Sequence, residues 1–468
     1  MRYLFVVLMS VALVACTAGE RRRLSPSVDV AHAVDTGALD LREAVEAGAR
    51  TLLEPGLVQG MAIAFEHPHG SEKLFLGSVG SGGEAPTAET IFEIGSVTKV
   101  FTALALVELV GQGELELTAP VASLLTESFE IPDYEGVEIS LEHLATHTSG
   151  LPSMPDNFRP ADLDDPFSDY DEERLAEFLS AYDLPRVPGV RAEYSNLGKG
   201  LLGYALAASV ETDYEELVSG LILDPMNLAD TGITLDDEQR ERLAQGHDGD
   251  GSPKQPWDLG SLEGAGALRS TLSDMLLFVR ANLSMVETPV QGSFSLAQVI
   301  RGPFDESNTV GLGWLVSSEG VLWHNGQTGG YHSFVAFHPE EHIGLVVLAN
   351  TATHGVTRLG IELMNLLRGR PYDLDVPVDV ELPPELLERY VGRYQLAPGA
   401  VFTITLEDGL LHAQLTGQPA FPIYPVSETA FVYRAVPARI VFQLDEEGAV
   451  EGLVLHQGGQ ELPAPRMP

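Results

Sequence analysis

Two side chains that can cooperate in acyl chemistry stand three apart in Phe92-Glu93-Ile94-Gly95-Ser96-Val97-Thr98-Lys99. At helical spacing, Ser96 and Lys99 share one face. A hydroxyl at the positive end of a helix, beside an amine that burial holds neutral, is a nucleophile with its base. The chain has four lysines (Lys73, Lys99, Lys199 and Lys254), so a coincidental Ser-x-x-Lys has few places to arise. Two more patterns join it, Tyr194-Ser195-Asn196 and His324-Asn325-Gly326. Each is common by chance. Their order, and their placement at a helix start, a loop and a strand end, make the set specific.

The elements that must hold these residues are legible in outline. Residues 100–110 are apolar almost all round, with Glu108 the one charge, which predicts a buried helix. Gly111-Gln112-Gly113 ends it. Residues 197–209 read as a second, mostly apolar helix directly after Asn196. Residues 313–316, 321–324, 332–337 and 343–350 read as four consecutive strands, the last without alternation and so covered on both faces. Helices at 271–282, capped by Ser270 or Thr271, and at 356–367 bracket this meander. The pattern implies an α+β fold, an antiparallel sheet flanked by helices plus a helical lobe. Upstream, a helix at 39–53 precedes paired strands at 61–65 and 73–77. The Asp- and Pro-rich residues 153–190, with a helical patch at 172–181, look like an insertion over a site.

The organisation follows. Arg2 and the apolar residues 3–14 read as an export signal too short to span a bilayer. Leu13-Val14-Ala15-Cys16 resembles a bacterial lipoprotein box, with Cys16, the only cysteine, as the lipidated residue. Residues 1–15 are then signal peptide, 16–36 tether, 37–370 the main domain, 371–384 a Pro- and acid-rich linker, and 385–468 a small all-β barrel, lipocalin-like in kind. From Leu387 on, the signal is strand throughout. The location implied is the bacterial envelope, exported, with the lipid as the one membrane attachment.

Acids outnumber bases 68 to 27, for a formal charge of −41, and signal removal takes away Arg2 and no acid. Such a surface repels nucleic acid and anionic headgroups. His143 and His147 are four apart, as zinc ligands can be, but Leu144 stands where a His-Glu-x-x-His motif needs glutamate. They read as packing or hydrogen-bonding residues, and no metal or cofactor is expected.

The three patterns together resemble the serine β-lactamase and penicillin-recognising superfamily, nearest to class C β-lactamase-related hydrolases and D-stereospecific peptidases. Phe92-Glu93-Ile94-Gly95, residues 144–152, Gly266-Ala267-Leu268-Arg269-Ser270-Thr271 and Gly326-Gln327-Thr328-Gly329-Gly330-Tyr331 fit the same style, and the tail resembles a barrel appendage carried by such lipoproteins. The resemblance implies that Ser96 forms an acyl-enzyme while Lys99 and Tyr194 share base and acid duty. Asn196 orients the substrate amide. His324 faces the substrate, and the Ser96 and Gln327 N–H groups form the oxyanion hole beside Gly326. Tyr331 is a pocket candidate. The substrate implied is a D-amino-acid peptide, a β-lactam or a small ester, with peptidoglycan fragments among the classes open. Two departures stand out. His324 occupies a position where many β-lactamases have Lys, and Lys199 occupies one where an aromatic is more usual; the reading gives Lys199 a surface role, snorkelling to water. The rival is a silent envelope lipoprotein that binds peptidoglycan fragments or a protein partner.

Overall fold

The computed structural model describes residues 41–467, apart from 81, 127, 375–381, 408, 419, 434–437, 446–447 and 458–459. The signal peptide, Cys16, the tether and half of the expected linker therefore lie outside the described residues. The described chain forms two compact units that divide between Leu374 and Asp375.

In the first unit, helix α1 (Leu41–Leu53) leads into strands β1 (Gly60–His67) and β2 (Gly70–Gly77). Strand β3 (Ile91–Glu93) runs into a 3-10 turn at Gly95–Val97 and then helix α2 (Thr98–Gly111). Helices α3 (Leu141–Ala145), α4 (Glu172–Ala181), α5 (Asn196–Ser209) and α6 (Tyr214–Val218) make up much of the helical lobe. A short hairpin, β4 (Gly246–His247) with β5 (Pro253–Lys254), precedes a 3-10 segment at Gly260–Ala265 and strand β6 (Arg269–Thr271), which pairs with β3. Strands β7 (Gly302–Pro303), β8 (Asn308–Val310), β9 (Leu315–Ser317), β10 (Leu322–Gln327), β11 (His332–His338) and β12 (Ile343–Ala349) then return as a meander.

The main sheet has eight antiparallel strands in the order β2-β1-β12-β11-β10-β9-β8-β7. The N-terminal hairpin thus docks on the last strand, with Met61 opposite Ala349. Every residue of β12 is buried, between the helices Leu272–Asn282 and Gly355–Leu367 that pack on the sheet. That is why its sequence shows no alternation. Thr271 caps the first of these helices, its hydroxyl accepting from Asp274 N. Helix α2 is buried from Thr98 to Val107, and Phe101 stacks on Phe278 at 4.4 Å.

The second unit opens with a helix, Pro384–Tyr390, where the sequence reading had strand from Leu387. Pro384 suits a first helical turn, and the helix buries Leu387 and Tyr390. Eight antiparallel strands follow in sequential order. Met467 N donates to Arg393 O at 2.8 Å and Tyr394 bridges Arg466, so the first and last strands meet in a nearly closed barrel. Its interior is filled: Tyr390 stacks on Phe442 at 4.3 Å, and Tyr394 and Phe431 pack on the same ring.

Candidate active site

Ser96 lies in the 3-10 turn that precedes α2, two residues before the helix proper. Two elements hold that turn. Ile94 N donates to Leu268 O, and Thr98 Oγ1 accepts from Leu268 N. On the other side Ser333 Oγ donates to Ile94 O at 2.7 Å. The edge of β10 presses closely here. A Cβ on Gly326 would meet Ile94 O at 1.9 Å, and one on Gly95, at φ +50°, would meet Gln327 N at 2.7 Å. Only glycine permits both approaches. They bring the Gln327 peptide to the turn that holds Ser96.

Lys99 is 0 % exposed, and its Nζ donates to Ser96 Oγ at 2.7 Å and to Ala265 O at 2.6 Å. Burial, and then the charge of Lys199, hold its amine well below the ordinary lysine value. Tyr194 lies under the same amine, with Lys99 Nζ 5.0 Å from its ring centre. The ring is partly exposed, but the hydroxyl is buried and has no well-formed hydrogen bond among the described residues. Burial pushes this phenol far up, and Ser96 pulls it back slightly.

A loop and a helix cap fix Tyr194. Ser195 caps α5: its Oγ accepts from Gly198 N at 2.8 Å and donates to Pro152 O at 2.6 Å. Asn196 N donates to Ser153 O, and the Asn196 amide reaches Met154 Sδ at 3.8 Å. His147, at φ +61°, stacks on Tyr194 at 4.7 Å and accepts from Ser195 N through Nδ1 at 3.1 Å. The sequence reading gave His147 a packing or hydrogen-bonding role without connecting it to Tyr194. Its partner in that reading, His143, instead caps α3 by accepting from Ser140 N.

His324 is 1 % exposed, its ring centre 6.4 Å from that of Tyr194 and its Nδ1 2.6 Å from Asn325 O. Burial, then Lys99, push its pKa down to about 3, so it is a neutral imidazole.

Two expectations are corrected. Lys199 does not reach water: it is 0 % exposed, and its Nζ donates to Ala145 O at 2.6 Å. The helix that carries it is buried on nearly every side, which leaves the stem no surface to follow. Tyr331 is a core residue, 1 % exposed, with its hydroxyl donating to Ala244 O and its ring against Gly246. Gly329 and Gly330 turn the chain inward here, packed on Trp257 and Gly246. Sequence reasoning also missed Glu93, 3 % exposed, which accepts from Trp257 N at 2.9 Å and Arg269 Nη2 at 3.1 Å. An acid three residues before Ser96, with Arg269 beside Ser270-Thr271 far along the chain, was the available signal.

An antiparallel sheet with a helical lobe, and a buried Ser-Lys pair beside a tyrosine, define the class as serine acyl hydrolase. The beta-lactamase family matches residues 50–367, and a domain of unknown function (DUF3471) matches residues 376–464. Penicillin-binding protein 4* of Bacillus subtilis is 25% identical over 81% of this chain and 88% of its own. The D-alanyl-D-alanine-carboxypeptidase/endopeptidase AmpH of Escherichia coli is 30% identical over 56% of this chain and 71% of its own. Among solved structures, D-alanine carboxypeptidase AmpC from Burkholderia cenocepacia aligns with a TM-score of 0.59 at 25% identity, over 70% of this chain and 99% of that one. The chain belongs to the beta-lactamase family, and it is a serine hydrolase working through an acyl-enzyme.

Proposed function

We propose that Ser96 is the nucleophile, Lys99 its base and Tyr194 the proton donor of this hydrolase. The observation that carries the reading is the Lys99–Ser96 contact of 2.7 Å around an amine with no exposure. A neutral Lys99 accepts the Ser96 proton as Oγ attacks a carbonyl carbon. The phenol of Tyr194, kept protonated by burial, gives its proton to the leaving group and recovers one through Lys99. The N–H groups of Ser96 and Gln327 stabilise the oxyanion, worth a few kcal/mol per donor. Water enters by the same route and releases the acid. Asn196 orients the substrate amide, and His324 bounds its far side as a neutral hydrogen-bonding group.

The substrate class follows from charge. Neither Lys99 nor Lys199 reaches solvent, and His324 is uncharged, so a substrate carboxylate gains little from these three groups. The reading favours a small ester or a D-amino-acid amide over a carboxylate-bearing β-lactam. Export and a lipid on Cys16 would place the enzyme in the bacterial envelope, on the pattern at residues 13–16. Labelled palmitate should enter the wild type and not Cys16→Ser.

Rates on p-nitrophenyl butyrate, D-alanyl-D-alanine peptides and nitrocefin, measured together with Ser96→Ala, test the proposal. Turnover led by the ester rather than by the two carboxylate-bearing substrates, and lost with Ser96, is expected. No Ser96-dependent turnover on any of them would leave a silent binding lipoprotein.

A further inference from the structure

We propose that Lys199 is a positioning residue that acts electrostatically, keeping Lys99 in its neutral, proton-accepting form while it is itself shut away from substrate and solvent. The inference deepens the functional reading above and rests on it for its catalytic consequence.

The geometry is specific. Lys99 on α2 and Lys199 on α5 approach the same short segment from two helices. Lys99 Nζ bonds the carbonyl of Ala265. The backbone of Lys199 packs on Gly264, whose Cβ would meet Lys199 O at 3.0 Å, and Gly200 packs on Leu262. From there the Lys199 side chain turns to the end of α3, where Nζ donates to Ala145 O. That carbonyl lies two residues before His147, which stacks on Tyr194. Lys99, His147, Lys199 and His324 thus form one buried group of four bases, and no carboxylate pairs with Lys199 among the described residues. Two ammonium groups cannot both stay charged in such a place, because neither is solvated and each repels the other. Each amine has one carbonyl, Ala265 O for Lys99 and Ala145 O for Lys199, and Lys99 alone also meets the Ser96 hydroxyl.

The charged groups on elements packed against α5 do not undo this. Glu142 on α3 is paired with Arg301 at 2.9 Å, and its neighbour His143 caps its own helix. Glu215 on α6 is held by Ile233 N and Thr234 N, and Glu216 by Thr212 Oγ1. Glu263, in the segment at Gly260–Ala265, is itself pushed up to about 7, by burial first and then by Glu215. Lys199 is lowered to about 7 by burial alone, so it carries charge below that, and Lys99 is held well below the ordinary lysine value by burial first and then by the charge of Lys199.

The test is the pH profile of kcat/KM on p-nitrophenyl butyrate for wild type, Lys199→Met and Lys199→Arg. Loss of the cation lets Lys99 keep its proton to higher pH. Lys199→Met should therefore move the acid limb up, with a loss of roughly tenfold on that limb for a one-unit shift, shrinking toward the alkaline plateau. Lys199→Arg should keep the wild-type limb. Superimposable limbs for wild type and Lys199→Met would reduce Lys199 to a structural tie on Ala145. Should Lys199→Met fail to fold, NMR titration of isotope-labelled lysine in the intact wild-type chain decides. Two of the four amines should titrate well below the other two; all four at the ordinary value would overturn the proposal. This titration needs no turnover, so a shifted amine pair without Ser96-dependent hydrolysis would defeat the functional reading and leave the buried amine pair standing.

Discussion

Lys99 Nζ and Ser96 Oγ are 2.7 Å apart, and the amine that makes this contact has no exposure to water. On the proposed reading, a lysine in that position exchanges the ordinary use of its charge for use as a base. Its surroundings supply the reason: a core helix beneath it, a carbonyl from Ala265 beside it, and a second buried amine across the packed segment.

The acid limb of kcat/KM should report Lys99. Its folded pKa lies well below the usual lysine value, which favours the neutral amine, and the amine gains a proton as pH falls. Activity is then lost on the acid side. Tyr194 does not contribute that limb, because burial moves its phenol upward and keeps it protonated. A pH–rate profile flat from about pH 8 to pH 4 would remove Lys99 as the base.

Tyr194→Phe should separate catalysis from stability. The hydroxyl is buried without a well-formed partner among the described residues, so deleting it costs the fold little. We expect stability within about 1 kcal/mol of wild type by denaturant unfolding, and kcat/KM lower by roughly a hundredfold or more. A large loss of stability with kcat preserved would make Tyr194 a core residue only.

Gly326→Ala should damage fold and activity together. The new methyl would sit 1.9 Å from Ile94 O and drive β10 away from the nucleophile turn. A cost of about 2 kcal/mol or more is expected from such overpacking. Gly80→Ala, with nothing within 4 Å of its Cβ and no unusual φ, is the control and should unfold like wild type. Equal midpoints for the two variants would contradict the close approach.

The buried Lys199 should leave a mark on stability. Its folded pKa of about 7 is below its unfolded value near 10.4, so over that window the unfolded chain binds the extra proton. Stability therefore rises with pH between these values, by on the order of 1 kcal/mol per unit from this group, and falls as pH drops toward 7. Differential scanning calorimetry of wild type against Lys199→Met should show the difference in Tm between them change over that window. A constant difference would mean that Lys199 does not titrate abnormally.

Much of this architecture was legible because burial writes itself into composition. Residues 100–110 and 343–349 carry no polar face, and both proved to be enclosed. Ser96 and Tyr194 stand at the helix start and in the loop where the sequence reading puts them, whereas His324 lies inside β10, which runs on to Gln327. What failed to show was direction. In an apolar helix such as α5, periodicity cannot say which side meets water, and Lys199 was assigned a surface it does not have. Tyr331 followed two glycines, which promise a turn but not whether it opens outward. The joining of β1 to β12 links residues nearly three hundred positions apart, beyond any local pattern. The helix at Pro384–Tyr390 was hidden by the strand run that follows it.

Intact-mass and peptide mapping of the protein after brief exposure to a fluorophosphonate or penicillin probe tests the central claim most directly. The account predicts one covalent adduct, on Ser96, absent from Ser96→Ala and slowed in Lys99→Met. An adduct on another residue, or equal labelling of wild type and Ser96→Ala, would contradict it.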